Sequence, residues 1–290
     1  MLWEGRRESS NVDDRRGVSG GSILAGGGIL GVIALVINFL MGSGDISQLP
    51  QSLPTGGGGG QTMSAQETAA DDKRAQFVKV VLADTEDIWG QIFRENSGQY
   101  TNPTLVLFRD ATQSGCGGAS SASGPFYCPA DQKVYIDLAF YEELQNRFNA
   151  PGDFAMAYVI AHEVGHHVQD LMGTSAKVQR LRSQLNETEY NRYSVMLELQ
   201  ADYYAGVWAN RLRKMKNVDQ RSVIEEGDVE EALNAANAIG DDRLQQESQG
   251  RIVPDAFTHG TSAQRVYWFK KGYQTGDIKQ GDTFSDPNLR

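Results

Sequence analysis

Between Ile23 and Met41 the chain runs for nineteen residues without a charge, and no other feature restricts its architecture as much. As a helix the run would be roughly 28 Å long, close to the ~30 Å hydrocarbon core of a bilayer. Three readings compete. A cleaved signal peptide wants a shorter apolar core, an earlier start and a small-residue cleavage site. A helix buried in a water-soluble core normally keeps a polar face, and this run offers only Asn38. A membrane span fits best, since glycines such as Gly26, Gly27, Gly28 and Gly31 weaken a helix in water but are common in spans. Arg6, Arg7, Arg15 and Arg16 precede the run, and the next basic residue is Lys73. The positive-inside rule therefore predicts a single-pass protein of the inner (cell) membrane. Its N-terminus would lie in the cytoplasm and the bulk of the chain in the periplasm or outside the cell.

The chain then divides into a cytoplasmic segment 1–22, a span 23–41, a linker 42–70 and a domain 71–290 long enough for one compact unit. The linker carries Pro50, Pro54 and the run Gly56 to Gly60, a composition that cannot bury a core. A net charge of −10 argues against a nucleic-acid partner. Two cysteines are too few for a disulfide framework or a four-thiolate zinc site. Cys116 and Cys128 close a loop rich in glycine and serine, and on the outer side of a membrane a disulfide between them is expected. Two free thiols are the alternative.

The domain reads as α+β and mostly helical. Phe77, Val80, Val81, Ile88, Trp89, Ile92 and Phe93 recur at helical spacing, which predicts an amphipathic helix over 71–96. Leu105 to Phe108 and Val134 to Leu138 read as short strands of a small antiparallel sheet. The second strand could present an edge to an extended peptide, with Asp131 and Asp137 tuning its charge preference. A third helix is predicted over 153–171, ended by Gly173, and a fourth over 193–212.

Three of the four histidines fall within six residues, in His162-Glu163-Val164-Gly165-His166-His167. Residues four apart share one helix face, so His162 and His166 can aim two imidazoles at one ion. Glu163 would then reach a water on that ion without ligating it, the H-E-x-x-H arrangement of zinc peptidases. The surrounding helix is apolar, and buried histidines and a buried acid are expensive there without a compensating partner. His167 lies about 100° further round the helix, away from the metal face, so it reads as packing or as a supporting donor. Zinc needs a third protein ligand, and Glu198 is the best candidate. Asp202, four residues on, shares its face and would accept from the far ring nitrogen of a ligand histidine. Tyr203 and Tyr204 read as core. One zinc ion per chain follows, acidifying a water from which Glu163 takes a proton.

The pairing of His162-Glu163-Val164-Gly165-His166 with Glu198 and Asp202 resembles the gluzincins, the thermolysin class of zinc metalloproteases. More closely, the chain is similar to a bacterial family of membrane-anchored neutral zinc metallopeptidases (YpfJ-like). That resemblance rests on the run His162 to Gln169, on the start Asn11 to Gly17 and on Gly124 to Pro129. It implies a zincin-like metallopeptidase domain behind one N-terminal transmembrane helix. Thr258 to Arg265 is similar to a Thr-His-Pro…Arg segment of membrane-bound metalloproteases, with Gly260 in place of the proline. That likeness makes His259 and Arg265 candidate catalytic donors to an oxyanion. The structural alternative is that Thr258 or Thr261 caps the following helix and Arg265 makes a salt bridge. The function expected is a membrane-anchored zinc endopeptidase acting on peptides or proteins. The alternatives are a catalytically silent, metal-stabilised scaffold of the cell envelope and a zinc amidase of cell-wall peptides.

Overall fold

The computed structural model describes residues 1–17 and 65–289. The predicted span 23–41 and most of the predicted linker lie outside the described residues. Among those described, no helix is long and apolar enough to cross a membrane.

In chain order the elements are β1 (Val12–Asp14), α1 (Ala65–Glu95), β2 (Thr104–Phe108), β3 (Ala111–Ser114), β4 (Gly117–Ser120), β5 (Phe126–Cys128) and β6 (Lys133–Asp137). Seven helices follow: α2 (Phe140–Asn146), α3 (Asp153–Leu171), α4 (Thr174–Leu181), α5 (Glu187–Leu212), α6 (Asp228–Ala238), α7 (Asp241–Gln249) and α8 (Ser262–Thr275). The architecture is α+β and mostly helical. α1 begins inside the predicted linker, at Ala65, because Ala65-Gln66-Glu67-Thr68-Ala69-Ala70 is good helix sequence without an apolar stripe to reveal it. α3 has the predicted bounds, and Gly173 behind it takes a left-handed φ of 72°. α5 starts earlier than predicted, at a capping box in which Asn186 and Glu189 satisfy each other's backbone N–H groups.

The main sheet has the order β1-β2-β6-β5 and is mixed rather than antiparallel. β1 and β2 pair in parallel, as do β2 and β6, while β5 runs against β6. The parallel β1–β2 pair has α1 in its crossover, the usual way to join two parallel strands. A separate hairpin, β3–β4, stands beside this sheet. Val134, Tyr135 and Ile136 are buried because β6 is an inner strand, so the edge predicted there belongs to β5 instead. Asp131 and Asp137 are also committed elsewhere. Asp137 accepts from Ser121 Oγ (2.5 Å) and the Asp110 N–H (3.0 Å), and Asp131 from Tyr135 Oη (2.6 Å) and the Gly115 N–H (2.7 Å).

The first residues do not form a segment apart from the domain. Met1 and Trp3 belong to the same apolar core as α1, the sheet, α3, α5, α6 and α8. Trp3 meets Phe77 edge to face at 5.5 Å, and β1 forms one edge of the sheet. Charge patterning alone reads this stretch as a polar tail. Arg6, Arg7 and Arg16 instead answer acids buried on α1, which local sequence does not reveal.

Packing of the long helices places the site. A Cβ on Gly165 of α3 would stand 3.0 Å from the Ala201 carbonyl of α5, so glycine lets the two backbones come together there. On the opposite side of α5, Cβ atoms on Gly206 or Gly272 would collide with the Phe269 and Tyr203 carbonyls. Those two glycines seat α8 against α5 just as closely.

Candidate metal centre

The α3–α5 contact brings His162, His166 and Glu198 together, each offering one ligand atom within 4.8 Å of the others. Glu198 Oε2 lies 3.1 Å from His162 Nε2, and Glu198 Oε1 lies 3.4 Å from His166 Nε2. The imidazole centroids are 4.8 Å apart with planes at 87°. Both rings thus present Nε2 to the same point and are held from behind through Nδ1. His162 Nδ1 donates to Asp202 Oδ1 at 2.8 Å, and His166 Nδ1 donates to Gln169 Oε1 at 2.9 Å. These partners select the tautomer that leaves the Nε2 lone pair free for a cation. Gln169 is itself anchored, donating to the Leu197 carbonyl at 2.7 Å and to Gln200 Oε1 at 3.1 Å.

Two nitrogens and one carboxylate, converging with their other atoms already engaged, fit zinc in both ligand type and number. The cluster is not sealed. The side chains of His166 and Glu198 keep 16% and 18% of their exposure, enough for a small molecule to approach from one side.

Electrostatics agree with a cation site. Burial alone would push the Glu198 carboxyl up, yet His166, His259 and His162 together hold it well below the ordinary carboxylate range. Burial opposes a charged His162 ring, but Asp202 and Glu198 outweigh it and raise the pKa to about 10. Glu163 is buried and hydrogen-bonds to no group among the described residues, and burial raises its pKa above that of an ordinary glutamate.

Asp202 is fully buried and is bound from three sides. Besides His162, it accepts from Tyr158 Oη (2.6 Å), from Arg265 Nε (2.9 Å) and from Arg265 Nη2 (3.1 Å). Burial favours its neutral form, but Arg265 and His162 prevail and hold the carboxyl at about 2. Arg265 also donates to Tyr158 Oη and the Ile239 carbonyl, so its guanidinium is consumed behind the site. The oxyanion role expected for Arg265 gives way to the salt bridge that was its alternative. Thr261 caps α8, again as the structural alternative had it.

His259 stands elsewhere, half exposed, on the turn before α8. Asp241, at the start of α7, accepts from the backbone N–H of Thr258, His259 and Gly260 at 2.7, 2.6 and 3.1 Å. It also lies 3.3 Å from His259 Nδ1. Burial disfavours a charged His259 ring, but Glu198 and Asp241 outweigh it and raise its pKa. His167 faces away from the ligands, donating from Nε2 to the Thr101 carbonyl (2.6 Å), with Nδ1 3.1 Å from the Tyr127 Oη that donates to Asp170. It ties edge strand β5 to the ligand helix. Tyr203 and Tyr204 are core residues, as expected. Cys116 and Cys128 form a disulfide.

Sequence reading missed Gln169, Tyr158 and Asp241. The first two carried a signal, since Gln169 follows His166 by three residues and Tyr158 precedes His162 by four, on the same helix face. Asp241 carried none, because a separate helix delivers it to His259.

Comparison with known proteins agrees with this geometry. The family model described as "Putative neutral zinc metallopeptidase" matches residues 1–284. The chain is 50% identical over 295 residues to "Uncharacterized protein YpfJ" of Escherichia coli (strain K12), covering 98% of this chain and 99% of that one. It is 40% identical over 251 residues to an uncharacterized protein of Mycobacterium tuberculosis (strain ATCC 25618 / H37Rv), covering 85% of this chain and 83% of that one. No solved structure matches. A family match over nearly the whole length, on a chain that brings two imidazoles and a carboxylate to one point, makes this protein a member of the neutral zinc metallopeptidase family.

Proposed function

We propose that this protein is a zinc-dependent endopeptidase that hydrolyses peptide bonds in peptide or protein substrates. The observation that carries the reading is the convergence of His162, His166 and Glu198 beside a glutamate with no hydrogen-bond partner among the described residues. His162, His166 and Glu198 would hold one zinc ion, which supplies Lewis acidity and lowers the pKa of water at the site. Glu163 takes a proton from the attacking water and returns it to the leaving amine, a task suited to a carboxylate whose pKa burial has raised. His259, oriented by Asp241 and with its pKa raised by Glu198 and Asp241, donates to the substrate carbonyl oxygen as negative charge grows there. Asp202, clamped by Arg265 and Tyr158, keeps His162 in its ligating tautomer. The outer edge of β5 offers backbone groups to which an extended substrate can add. The Cys116–Cys128 disulfide supports an oxidising compartment as the place of work.

The test is proteolysis of a denatured protein by the purified full chain, alongside cell-wall peptides as competing substrates. Activity should vanish with a chelator and return with zinc. Glu163→Gln should keep its zinc while kcat falls by ~10²–10⁴-fold, the range for loss of a general base. A zinc-loaded wild type inert on every substrate would instead mark a silent scaffold, and cleavage restricted to cell-wall peptides would mark an amidase.

A further inference from the structure

The N-terminal segment bears on the topology of the whole chain. Three carboxylates on α1, those of Asp71, Asp84 and Glu86, are between 3% and 7% exposed. Each is met by a group from residues 1–17. Arg6 donates to both oxygens of Asp84, each at 2.6 Å. Arg7 donates to Glu86 at 3.1 Å, and Ser9 and Asn11 also donate to that carboxylate, at 2.5 and 2.7 Å. Arg16 reaches Asp71 at 3.3 Å and the neighbouring Asp72 at 3.1 Å. Trp3 is in the core, and residues 12–14 lie in register with 105–107 of β2. This segment is therefore built into the domain, supplying a sheet strand, an aromatic core residue and the counter-charges for buried acids.

Two consequences follow. The arginines that would direct the N-terminus to the cytoplasm are engaged as ion-pair partners within the domain. And the segment leaves the domain close to where the chain re-enters it, because Arg16 touches Asp71 and Asp72, only six and seven residues into α1. We infer that residues 1–17 and 65–289 share one side of any membrane, so that the N-terminus and the metal centre occupy the same compartment. With both ends on one side, the intervening chain makes an even number of crossings. Nineteen apolar residues suffice for a single crossing at most. The single-pass topology with a cytoplasmic N-terminus and an outer domain is therefore incompatible with the folded domain.

The experiment uses the full chain in intact bacterial spheroplasts. Ser10→Cys and Ser248→Cys place single thiols at exposed points of the segment and of α7. A membrane-impermeant maleimide should label the two to the same extent, a ratio near unity whichever compartment they occupy. In parallel, Glu8→Cys with Gln76→Cys replaces an exposed hydrogen-bonded pair 2.9 Å apart, and a short bis-maleimide should join the two in most of the folded chain. A label that reaches one of the two positions only after lysis overturns the inference, and so does failure to cross-link a chain whose domain resists trypsin. Neither readout involves catalysis, so the peptidase proposal stands or falls separately.

Discussion

Among the described residues, two groups of side chains have the donor chemistry of a metal site, and they are built differently. One is His162, His166 and Glu198; the other is Asp153, Asp228 and Glu231, at the N-terminal ends of α3 and α6. In the second, the chain brings its own cation, for the Met1 α-amino group lies 2.9 Å from Asp153 and 3.0 Å from Asp228. Glu231 there accepts from the Phe154 N–H. The first has a nearby cation too, but Arg265 is spent on Asp202 behind His162 and does not reach the ligand atoms. What faces Glu198 is two imidazoles whose Nδ1 atoms are already satisfied. Convergent acids alone therefore say little. A site calls for an external cation when the protein's own positive groups are aimed elsewhere and neutral donors are held in place.

That contrast can be broken by mutation. The largest expected effect is at Glu198. Glu198→Ala should lose zinc and peptidase activity together yet remain folded, read by metal analysis and circular dichroism, whereas Asp228→Ala should keep both zinc and activity and lose only stability. Next comes His259→Ala, expected to lower kcat by ~10²–10³-fold with zinc content unchanged, the cost of removing one oxyanion donor. Asp202→Asn should be milder, weakening zinc binding by roughly 10–100-fold in a chelator competition, as losses behind a ligand histidine do. Arg6→Ala should leave zinc affinity and kcat unchanged and cost about 3–5 kcal/mol in unfolding experiments, because it strands a buried acid. The sign with pH is set by Asp84. Burial, which Arg6 only partly offsets, has pushed its carboxyl from 3.8 up to about 6, so the folded state favours the proton. The Arg6→Ala deficit should therefore shrink as pH falls towards about 6 and level off below it, where the carboxyl is neutral with or without Arg6.

Different parts of the molecule were legible to different degrees. The ligand helix was plain, since spacing along one helix is a local property and four residues return a side chain to the same face. Glu198 and Asp202 could be paired with it because two acids in an apolar helix ask for a cation. Sheet topology was not legible. β1 is a three-residue strand whose partner lies more than ninety positions away, and nothing local distinguishes it from a charged turn. The edge strand was misplaced for the same reason, because β5 is short and irregular in sequence while β6 has the stronger pattern.

By itself, then, the sequence determined the three long helices α1, α3 and α5, the two imidazoles with their neighbouring glutamate, and the chemistry those groups can perform, because each depends on contacts within a few turns of chain. Only the tertiary structure decided what the free-looking charges do. Arg265 turned from a substrate donor into the clamp on Asp202, Asp241 became the partner of His259, and the N-terminal arginines became counter-ions within the domain. A charge interacts with whatever the fold brings within a few ångströms, and in a low-dielectric interior that neighbour outweighs anything adjacent in sequence.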